Sequence, residues 1–381
     1  MNGEFRDNLD KTAFIFRGYN VTNLGRTPEL LAHAAYGPVI SVHLKQASEI
    51  ASQVLGRKID LEDRVKNKEE TSLDSFADAV ALIMAVELAQ IELLKKFFEI
   101  DYVVSRMGIG YSLGEVTALV ASGVFDLESA LQVPLSLADD CAELGEDVSM
   151  GIVFTREAAL DVDMINRLCV EINCQGWGFI GTSSYLSPNS LLVLGQGDTV
   201  DRLKRLIKER LPKGVHVRKN RHNWPPLHTP IVWQRSIPNR AAVTIHEVPG
   251  GFSAPRPAVL SLVTGNESYN EYNSREMLIR WIDHPQRVWD AVNHTLGEDI
   301  ETIVHVGPEP NLFPATFRRL SENVQAQLSG TSPSSLGLRV VSGMARRPWL
   351  TAMLPSQTAL LRAPFLRHII LEDWLLEQEV E

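Results

Sequence analysis

Cysteine is scarce in this chain, which has only three in 381 residues: Cys141, Cys169 and Cys174. An odd number without paired spacing argues against a disulfide framework or a zinc site and indicates reduced thiols. Long hydrophobic runs are missing too, since no apolar stretch reaches the roughly 20 residues that span a bilayer. The polar segment from Met1 to Lys11 lacks the pattern of a signal peptide. We therefore expect a cytoplasmic protein that does not bind membranes.

Basic residues are in deficit, because 37 lysines and arginines stand against 47 acidic residues and leave a net charge of −10. This balance argues against nonspecific binding to nucleic acid. The segment from Asp201 to Arg221 is the exception. Its basic residues, called the basic run below, are Arg202, Lys204, Arg205, Lys208, Arg210, Lys213, Arg218, Lys219 and Arg221. The run is typical of a solvated helix face or of a docking patch for an acidic partner, and both interpretations stay open.

Motifs for several kinds of chemistry are absent from the sequence. No His, Cys, Asp and Glu residues cluster with the spacing of metal ligands. Gly108-Ile-Gly110 does not extend into a dinucleotide-binding fingerprint, and no phosphate-binding Gly-x-x-x-x-Gly-Lys run occurs. With 44% hydrophobic and 22% charged residues, the chain can bury an ordinary globular core. We expect neither a metal nor a cofactor.

Apolar runs and helical patterns alternate in the first part of the chain. Thr12–Phe16 is short and apolar, which predicts a buried strand, and Asp101–Ile109 predicts another. Between them, Phe76–Phe98 is apolar on most faces, as a buried helix is. The alternation predicts an α/β fold built on a parallel sheet.

The middle of the chain follows a different pattern. Residues 147–222 read as strand, helix, two strands, helix and strand, which is the βαββαβ order of ferredoxin-like folds. We therefore predict an inserted small subdomain over 147–222, with residues 1–146 and 223–325 forming the large subdomain. A Gly/Ser/Pro-rich stretch in the C-terminal extension, 326–381, predicts a linker over residues 328–335. We expect the apolar tail beyond it to pack onto the large subdomain, and partner binding is the alternative.

One motif carries chemistry. Gly110-Tyr111-Ser112-Leu113-Gly114 follows a predicted strand and precedes a predicted helix, which is the arrangement of a nucleophile elbow. Such a turn exposes the serine hydroxyl at the edge of an α/β-hydrolase-like parallel sheet and aims backbone N–H groups at a developing oxyanion. The motif predicts that Ser112 is a nucleophile. A glycine-rich strand-to-helix turn with an idle serine is the alternative.

Several further segments occur in the order found in a known family. Phe14-Ile-Phe-Arg-Gly18 looks like an opening Phe-x-Phe-Pro-Gly-Gln-Gly strand and loop. Gly110 to Glu115 looks like Gly-His-Ser-x-Gly-Glu, and Trp281 to Trp289 like a Gln-x-x-x-Pro-Val-x-Trp segment. Leu227-His228 and Val306-Gly307-Pro308 follow the same order. From about Thr12 to Val324 the chain resembles the malonyl-CoA:acyl carrier protein transacylases and the acyltransferase domains of polyketide synthases.

The resemblance implies roles for particular residues. His228 would take the proton from Ser112 and return it to the leaving group; without the resemblance it would be read as a loop residue. The N–H groups of Leu113 and Tyr19 would form the oxyanion hole. The family has no acidic third member of the triad, and we expect backbone carbonyls near Asn311 to orient the histidine.

Three departures from the family bear on the substrate. Tyr111 replaces the histidine before the nucleophile, and Tyr19 replaces the glutamine of the first loop. The third is Leu137, which occupies the position of the arginine that grips a malonyl carboxylate in the family. No arginine or lysine lies between Ser112 and Glu146. The candidate substrate pocket, Tyr111, Leu137, Leu227 and Asn311, therefore predicts an uncharged acyl group, because an unpaired buried carboxylate costs several kcal/mol.

Three functions fit these features. The leading hypothesis is a discrete acyltransferase of fatty acid or polyketide biosynthesis. It would move a non-malonyl acyl group from a coenzyme A or carrier-protein thioester to an acyl carrier protein, with Arg205 and Lys208 as docking residues. The second is a hydrolase that clears acyl thioesters from carrier proteins. The third is a non-catalytic homologue that acts as a partner.

Overall fold

The computed structural model describes residue 6 and residues 8–156, 158–329 and 358–380. The α-helices are α1 (Thr27–Ala32), α2 (Gly37–Leu55), α3 (Leu61–Lys66), α4 (Phe76–Phe98), α5 (Leu113–Ala121), α6 (Leu127–Gly145), α7 (Val162–Cys174), α8 (Thr199–Arg210), α9 (Ile237–Glu247), α10 (Ser274–Trp281), α11 (Val288–Gly297), α12 (Leu312–Ser329) and α13 (Leu371–Leu376). The β-strands are β1 (Thr12–Phe16), β2 (Met107–Gly110), β3 (Val148–Thr155), β4 (Ile180–Ser187), β5 (Ser190–Gln196), β6 (Val215–Asn223), β7 (Ala258–Leu260), β8 (Thr302–Val306) and β9 (Arg367–Ile370). None of the helices in these ranges is long and apolar enough to cross a bilayer.

The larger of the two sheets is parallel, with the strand order β7-β2-β1-β8-β9. Strand β1 is buried along its whole length, as predicted, because helices cover both faces of the sheet. Phe14 and Phe16 pack on one face with α2, α4 and α6. Ala13 and Ile15 pack on the other with α11 and α12. The predicted α/β fold with a parallel sheet is therefore confirmed.

The predicted strand Asp101–Ile109 is shorter in the structure, where β2 begins only at Met107. The Asp101 carboxylate accepts the N–H of Val103 at 3.2 Å and starts a 3-10 turn. This turn places the Tyr102 ring edge-on against Phe14, 5.2 Å between centroids, under the sheet. An aromatic anchor therefore takes the place of the first half of the predicted strand.

The smaller sheet, β3 to β6, is antiparallel, with the order β4-β5-β3-β6. Helices α7 and α8 interrupt its strands in the chain order β-α-β-β-α-β. The side chains alternate between its faces. Val153 and its neighbour Val217 pack against α7 and α8. Ile152, Leu192 and Arg218 point to the opposite face, where they line a cavity shared with the larger sheet. One face of this sheet is thus core and the other is wall.

The C-terminal segment packs onto the larger sheet, in line with the expectation for the tail. Strand β9 extends the sheet beside β8, and the α13 carboxylate of Glu372 accepts the backbone N–H groups of Arg26 and Glu309, each at 2.8 Å. Of the predicted linker 328–335, Leu328 and Ser329 are the last residues of α12. The rest of that linker lies outside the described residues.

Candidate active site

Ser112 lies in a tight turn between β2 and α5, with backbone angles φ +52° and ψ −119°. The two flanking glycines permit this turn. A Cβ atom on Gly110 would lie 2.1 Å from the backbone of Gly114, and one on Gly114 would lie 2.4 Å from the Phe16 carbonyl oxygen. Left-handed backbone at a non-glycine residue costs energy and is found mostly at functional sites. The Gly-x-Ser-x-Gly sequence therefore has the strand–turn–helix geometry that a nucleophile elbow requires.

His228 stands beside this serine, with its Nε2 2.8 Å from the Ser112 Oγ. On the other side of the ring, Nδ1 lies 2.7 Å from the carbonyl oxygen of Trp281. A carbonyl can only accept, so Nδ1 carries the proton and Nε2 is left to accept from the serine hydroxyl. The Trp281 indole N–H in turn donates to the Ser112 carbonyl at 2.8 Å. Ser112 and His228 are thus both hydrogen-bonded to the same tryptophan.

The histidine-orienting carbonyl belongs to Trp281, so the prediction that it would lie near Asn311 was wrong. Asn311 immediately precedes α12 and lines the cavity instead. Helix α10 ends at Trp281, beside His228. The backbone N–H of His228 also donates to the carbonyl oxygen of Ile282, the next residue, at 2.7 Å. Main-chain carbonyls carry no sequence signature, which is why the position was misassigned.

Burial sets the charge of His228. His228 is only 4% exposed, and desolvation lowers its pKa to about 4, against the bond to the Trp281 carbonyl, which raises it. The imidazole is therefore neutral at pH 7 and free to accept a proton.

Gln286 was missed by the sequence analysis, which gave it no role. Its side-chain Oε1 accepts the backbone N–H of Ser112 at 3.1 Å, and the residue is fully buried. Its own backbone bonds to Ser183 and Tyr185, at 2.8 and 2.9 Å. Gln286 therefore connects the turn at Ser112 to β4 of the smaller sheet. The segment that contains it was recognised, but no sequence signal singles out this amide.

The first loop follows β1 and approaches the serine closely, since a Cβ atom on Gly18 would lie 3.0 Å from the Ser112 Cβ. Leu113 is the first residue of α5, where no intrahelical acceptor exists for its N–H. Both Leu113 and Tyr19 line the cavity beside Ser112 and His228. Two backbone segments that could hold an oxyanion thus meet at the serine.

Arg17 fixes the shape of this first loop, and this also was missed. Its buried guanidinium donates to the Gly18 carbonyl and to the Asn23 side chain, both at 2.8 Å, and to the Pro308 carbonyl. Its backbone N–H donates to the fully buried Glu87 carboxyl at 2.7 Å. Burial lowers the Arg17 pKa to about 10, and the group remains charged at neutral pH.

The cavity at the serine has a volume of about 870 Å³. The predicted pocket residues Tyr111, Leu137, Leu227 and Asn311 all line it. Helices α4 and α6 supply one wall, and the residues that line it there are Phe76, Val80, Pro134, Leu137 and Cys141. These side chains are uncharged and mostly apolar. Among the described residues, no group of His, Cys, Asp and Glu could hold a metal ion.

The predicted docking residues Arg205 and Lys208 do not line the cavity. They belong to α8, which covers the opposite face of the smaller sheet. Arg205 lies 3.9 Å from Asp198, and Lys219 pairs with Asp201 of the same helix at 2.8 Å. The sheet therefore divides the basic run, with α8 on the outside and Arg218 on the cavity side.

No protein-family model matches the chain, but individual proteins do. The polyketide synthase GfsA of Streptomyces halstedii is 25% identical over 302 residues, 78% of this chain and 4% of that protein. The malonyl CoA-acyl carrier protein transacylase of Haemophilus influenzae is 23% identical over 323 residues, 84% of this chain and 95% of that protein. The solved transacylase of Xanthomonas oryzae superposes with a TM-score of 0.64 at 22% identity, covering 81% of this chain and 91% of that chain.

The chain thus spans only a small part of the polyketide synthase but nearly all of the transacylases. The order of its sequence segments, its two sheets and these similarities all point to the same group of proteins. The predicted resemblance is confirmed: the chain is a relative of the malonyl-CoA:acyl carrier protein transacylases and of the acyltransferase domains of polyketide synthases, which are acyltransferase enzymes.

Proposed function

We propose that this protein is an acyltransferase that carries an uncharged, non-malonyl acyl group as an ester on Ser112. It takes the group from a coenzyme A or carrier-protein thioester and passes it to an acyl carrier protein. The observation that carries the proposal is the hydrogen-bonded series from Ser112 Oγ through the His228 ring to the Trp281 carbonyl, with distances of 2.8 and 2.7 Å. A strained elbow presents the serine to the cavity, which supports the same assignment.

In the first half-reaction, neutral His228 accepts the Ser112 proton at Nε2 while Oγ attacks the thioester carbonyl. The N–H groups of Leu113 and Tyr19 then donate to the oxyanion. The imidazolium, stabilised by the Trp281 carbonyl, gives its proton to the thiolate as the C–S bond breaks. In the second half-reaction, the carrier thiol loses its proton to His228 and attacks the ester. Ser112 leaves with that proton.

The wall formed by α4 and α6 supports the proposal of an uncharged substrate. Leu137 lies where the family resemblance places a carboxylate-binding arginine, and it is buried among apolar neighbours. Arg17 lines the cavity too, but its guanidinium already bonds to Gly18, Pro308 and Asn23. A malonyl carboxylate turned toward this wall would lose hydration without gaining a cation.

Intact-protein mass spectrometry after incubation with acetyl-, butyryl-, octanoyl- and malonyl-CoA tests the proposal, with Ser112→Ala as the control. We expect one acyl adduct, absent from the control, with an uncharged acyl group preferred. Preferential malonylation would overturn the substrate class. No adduct from any donor would favour the non-catalytic homologue, while rapid release of free acid without transfer to a carrier would favour the hydrolase.

Docking of the carrier protein at Arg205 and Lys208 is part of this proposal. Both side chains are exposed, and carrier proteins are acidic, as in the family that the chain resembles. Their place on the outer side of the smaller sheet requires the carrier to bind there and reach around to the cavity. Reversal of both charges should weaken acyl transfer to the carrier protein. The control Lys58→Glu, in the proposed large subdomain, should leave this transfer unchanged. Unchanged carrier kinetics would remove Arg205 and Lys208 from the docking surface.

The finer description of the fold is also proposed. The parallel sheet is assigned as an α/β-hydrolase-like core over residues 1–146 and 223–325, and the antiparallel sheet as a ferredoxin-like subdomain over 147–222. The separate hydrophobic clusters of the two sheets support this division. Limited proteolysis should cut first near its boundaries, and early cuts inside β3 to β6 would contradict it.

A further inference from the structure

Besides the buried Arg17, three exposed arginines line the cavity from its two sides. Arg156 follows β3 and Arg218 lies in β6 of the smaller sheet, while Arg319 lies in α12 beside the larger sheet. All three side chains are exposed to solvent, so they mark the open end of the cavity rather than its apolar interior. The parts of the chain around the two sheets thus contribute cations to one opening.

The strand register explains why Arg218 faces the cavity while the residue after it does not. Arg218 pairs with Ile152 across β3, and both lie on the cavity face. Lys219 pairs with Gly151 and turns to the helix face, where Asp201 binds its ammonium group at 2.8 Å. Alternation along β6 therefore separates a paired cation from one aimed at the opening.

The three arginines have no carboxylate partner within the described part of the chain. Other arginines of the smaller sheet and its helices do, since Arg210 pairs with Glu171 and Arg202 with Asp198 at 3.5 Å. Glu322 also lines the cavity from α12, but within the described residues no ion pair joins it to any of the three arginines. Unneutralised guanidinium groups at the entrance of an apolar cavity favour an anionic ligand with an apolar end.

We propose that Arg156, Arg218 and Arg319 form a phosphate-binding rim, which holds the phosphate groups of the thioester donor while its acyl end reaches Ser112. The inference rests on the proposed function, because the thioesters of coenzyme A and of carrier proteins share a phosphorylated pantetheine arm. Arginine forks bind phosphate oxygens in pairs, which suits this chemistry. The rim therefore recognises the phosphorylated pantetheine arm of the substrate, and the wall of α4 and α6 recognises the acyl group.

Titration calorimetry with three ligands tests the phosphate-binding rim on the whole 381-residue chain, without any acyl transfer. Pantetheine has no phosphate, 4′-phosphopantetheine has the phosphate shared with carrier proteins, and coenzyme A adds the nucleotide phosphates. Wild-type protein should bind at least one phosphorylated ligand about tenfold or more tightly than pantetheine. If 4′-phosphopantetheine already binds more tightly than pantetheine, the rim binds the phosphate shared with carrier proteins. If only coenzyme A binds more tightly, the rim binds the nucleotide phosphates.

The variants Arg218→Ala and Arg319→Ala should each remove most of that gain and leave pantetheine binding unchanged. Lys204→Ala, an exposed cation on the outer helix α8, is the matched control and should bind all three ligands like the wild type. Equal affinity of the wild-type protein for the three ligands would overturn the phosphate-binding rim. The same holds if the arginine variants lose as much affinity for pantetheine as for the phosphorylated ligands. Because no ester forms in this experiment, it stands even if Ser112 proves inert.

Discussion

The Nδ1 atom of His228 lies 2.7 Å from the main-chain oxygen of Trp281, so a backbone carbonyl orients the catalytic base in the proposed mechanism. A carbonyl offers a partial negative charge, less than the carboxylate of a serine-protease triad. The orientation of the ring therefore depends on the fold of the turn after α10. No single side-chain deletion at Trp281 removes this acceptor.

Replacement of the base is the first prediction. His228→Gln should slow acylation of Ser112 by about 10²–10⁴-fold, because general-base catalysis contributes about that much. Quenched-flow mass spectrometry of the acyl adduct measures the rate. His284→Gln is the control, since the side chain of that exposed histidine bonds to Asp283 on the surface. An acylation rate within twofold of wild type in the first variant would exclude His228 as the base.

The pH dependence of acylation follows from burial of the same residue. Only neutral imidazole accepts the Ser112 proton, and the His228 pKa is lowered to about 4. The rate should stay level from neutral pH down to about pH 5 and then fall tenfold per unit below pH 4. A midpoint near the ordinary histidine value of about 6.5 would contradict the buried base.

The same shift affects stability, and its sign is clear. The folded protein binds this proton less readily than the unfolded chain, so His228 makes folding less favourable as the pH falls from about 6.5 toward 4. The rates should therefore be measured by brief pH jumps. Circular dichroism at each pH, on the same time scale, shows whether the protein is still folded.

The acyl pocket can be tested by adding the cation it lacks. Leu137→Arg should raise the ratio of malonyl to butyryl transfer onto Ser112 by about tenfold or more, because the guanidinium offers a carboxylate two hydrogen bonds. The ratio of initial acylation rates in a two-donor competition measures this. Leu137→Met keeps the volume without the charge and should leave the ratio near that of wild type. An unchanged ratio with arginine would place the acyl group elsewhere.

Gln286 should matter to the stability of the protein. Gln286→Leu leaves the Ser112 N–H without its acceptor, which should cost about 1–3 kcal/mol in the free energy of unfolding. Urea unfolding measures this cost. Gln234→Leu removes an exposed amide instead and should change stability by no more than about 0.5 kcal/mol. If the two variants were equally stable, the buried hydrogen bond would not hold the turn.

The first loop depends on the fork of Arg17 rather than on its charge. Arg17→Lys keeps the charge, but lysine cannot bond to Gly18, Asn23 and Pro308 together. We therefore expect the free energy of unfolding to fall by about 2 kcal/mol or more, and acylation to be slower. Urea unfolding and the adduct rate measure the two effects. Arg280→Lys, in an exposed pair with Glu276, should cost no more than about 1 kcal/mol. Full rescue by lysine would show that charge alone suffices.

Local patterns carried most of what could be predicted. Strand β1 and the turn at Ser112 were predictable because a run of apolar residues and two glycines each constrain the backbone directly. The order of strands and helices between residues 148 and 223 was predictable for the same reason. By contrast, the strand predicted from Asp101 began late, because a side-chain bond and a buried tyrosine outweighed the apolar pattern.

Long-range contacts account for what was missed. Arg17 and Glu87 are far apart in the chain, and nothing local in either segment indicates that they meet. The same holds for Gln286 and Ser112. The basic run looked continuous in the sequence, and only the pairing of β6 with β3 shows which cations face inward. Register and tertiary contact decide such cases.

The alternating faces of the smaller sheet also bear on how the protein can diverge. Ser112 and His228 both lie outside β3 to β6, while that sheet contributes one lining surface of the cavity. In the proposed mechanism, exchange of cavity-facing residues in β3, β5 and β6 therefore changes the substrate surface without disturbing proton transfer or the helix-facing core. Insertion of a single residue in β6 would move every side chain beyond it to the opposite face of the sheet, so that cavity-facing and helix-facing residues would exchange places. Point substitution, and not length variation, is the accessible evolutionary route in this strand.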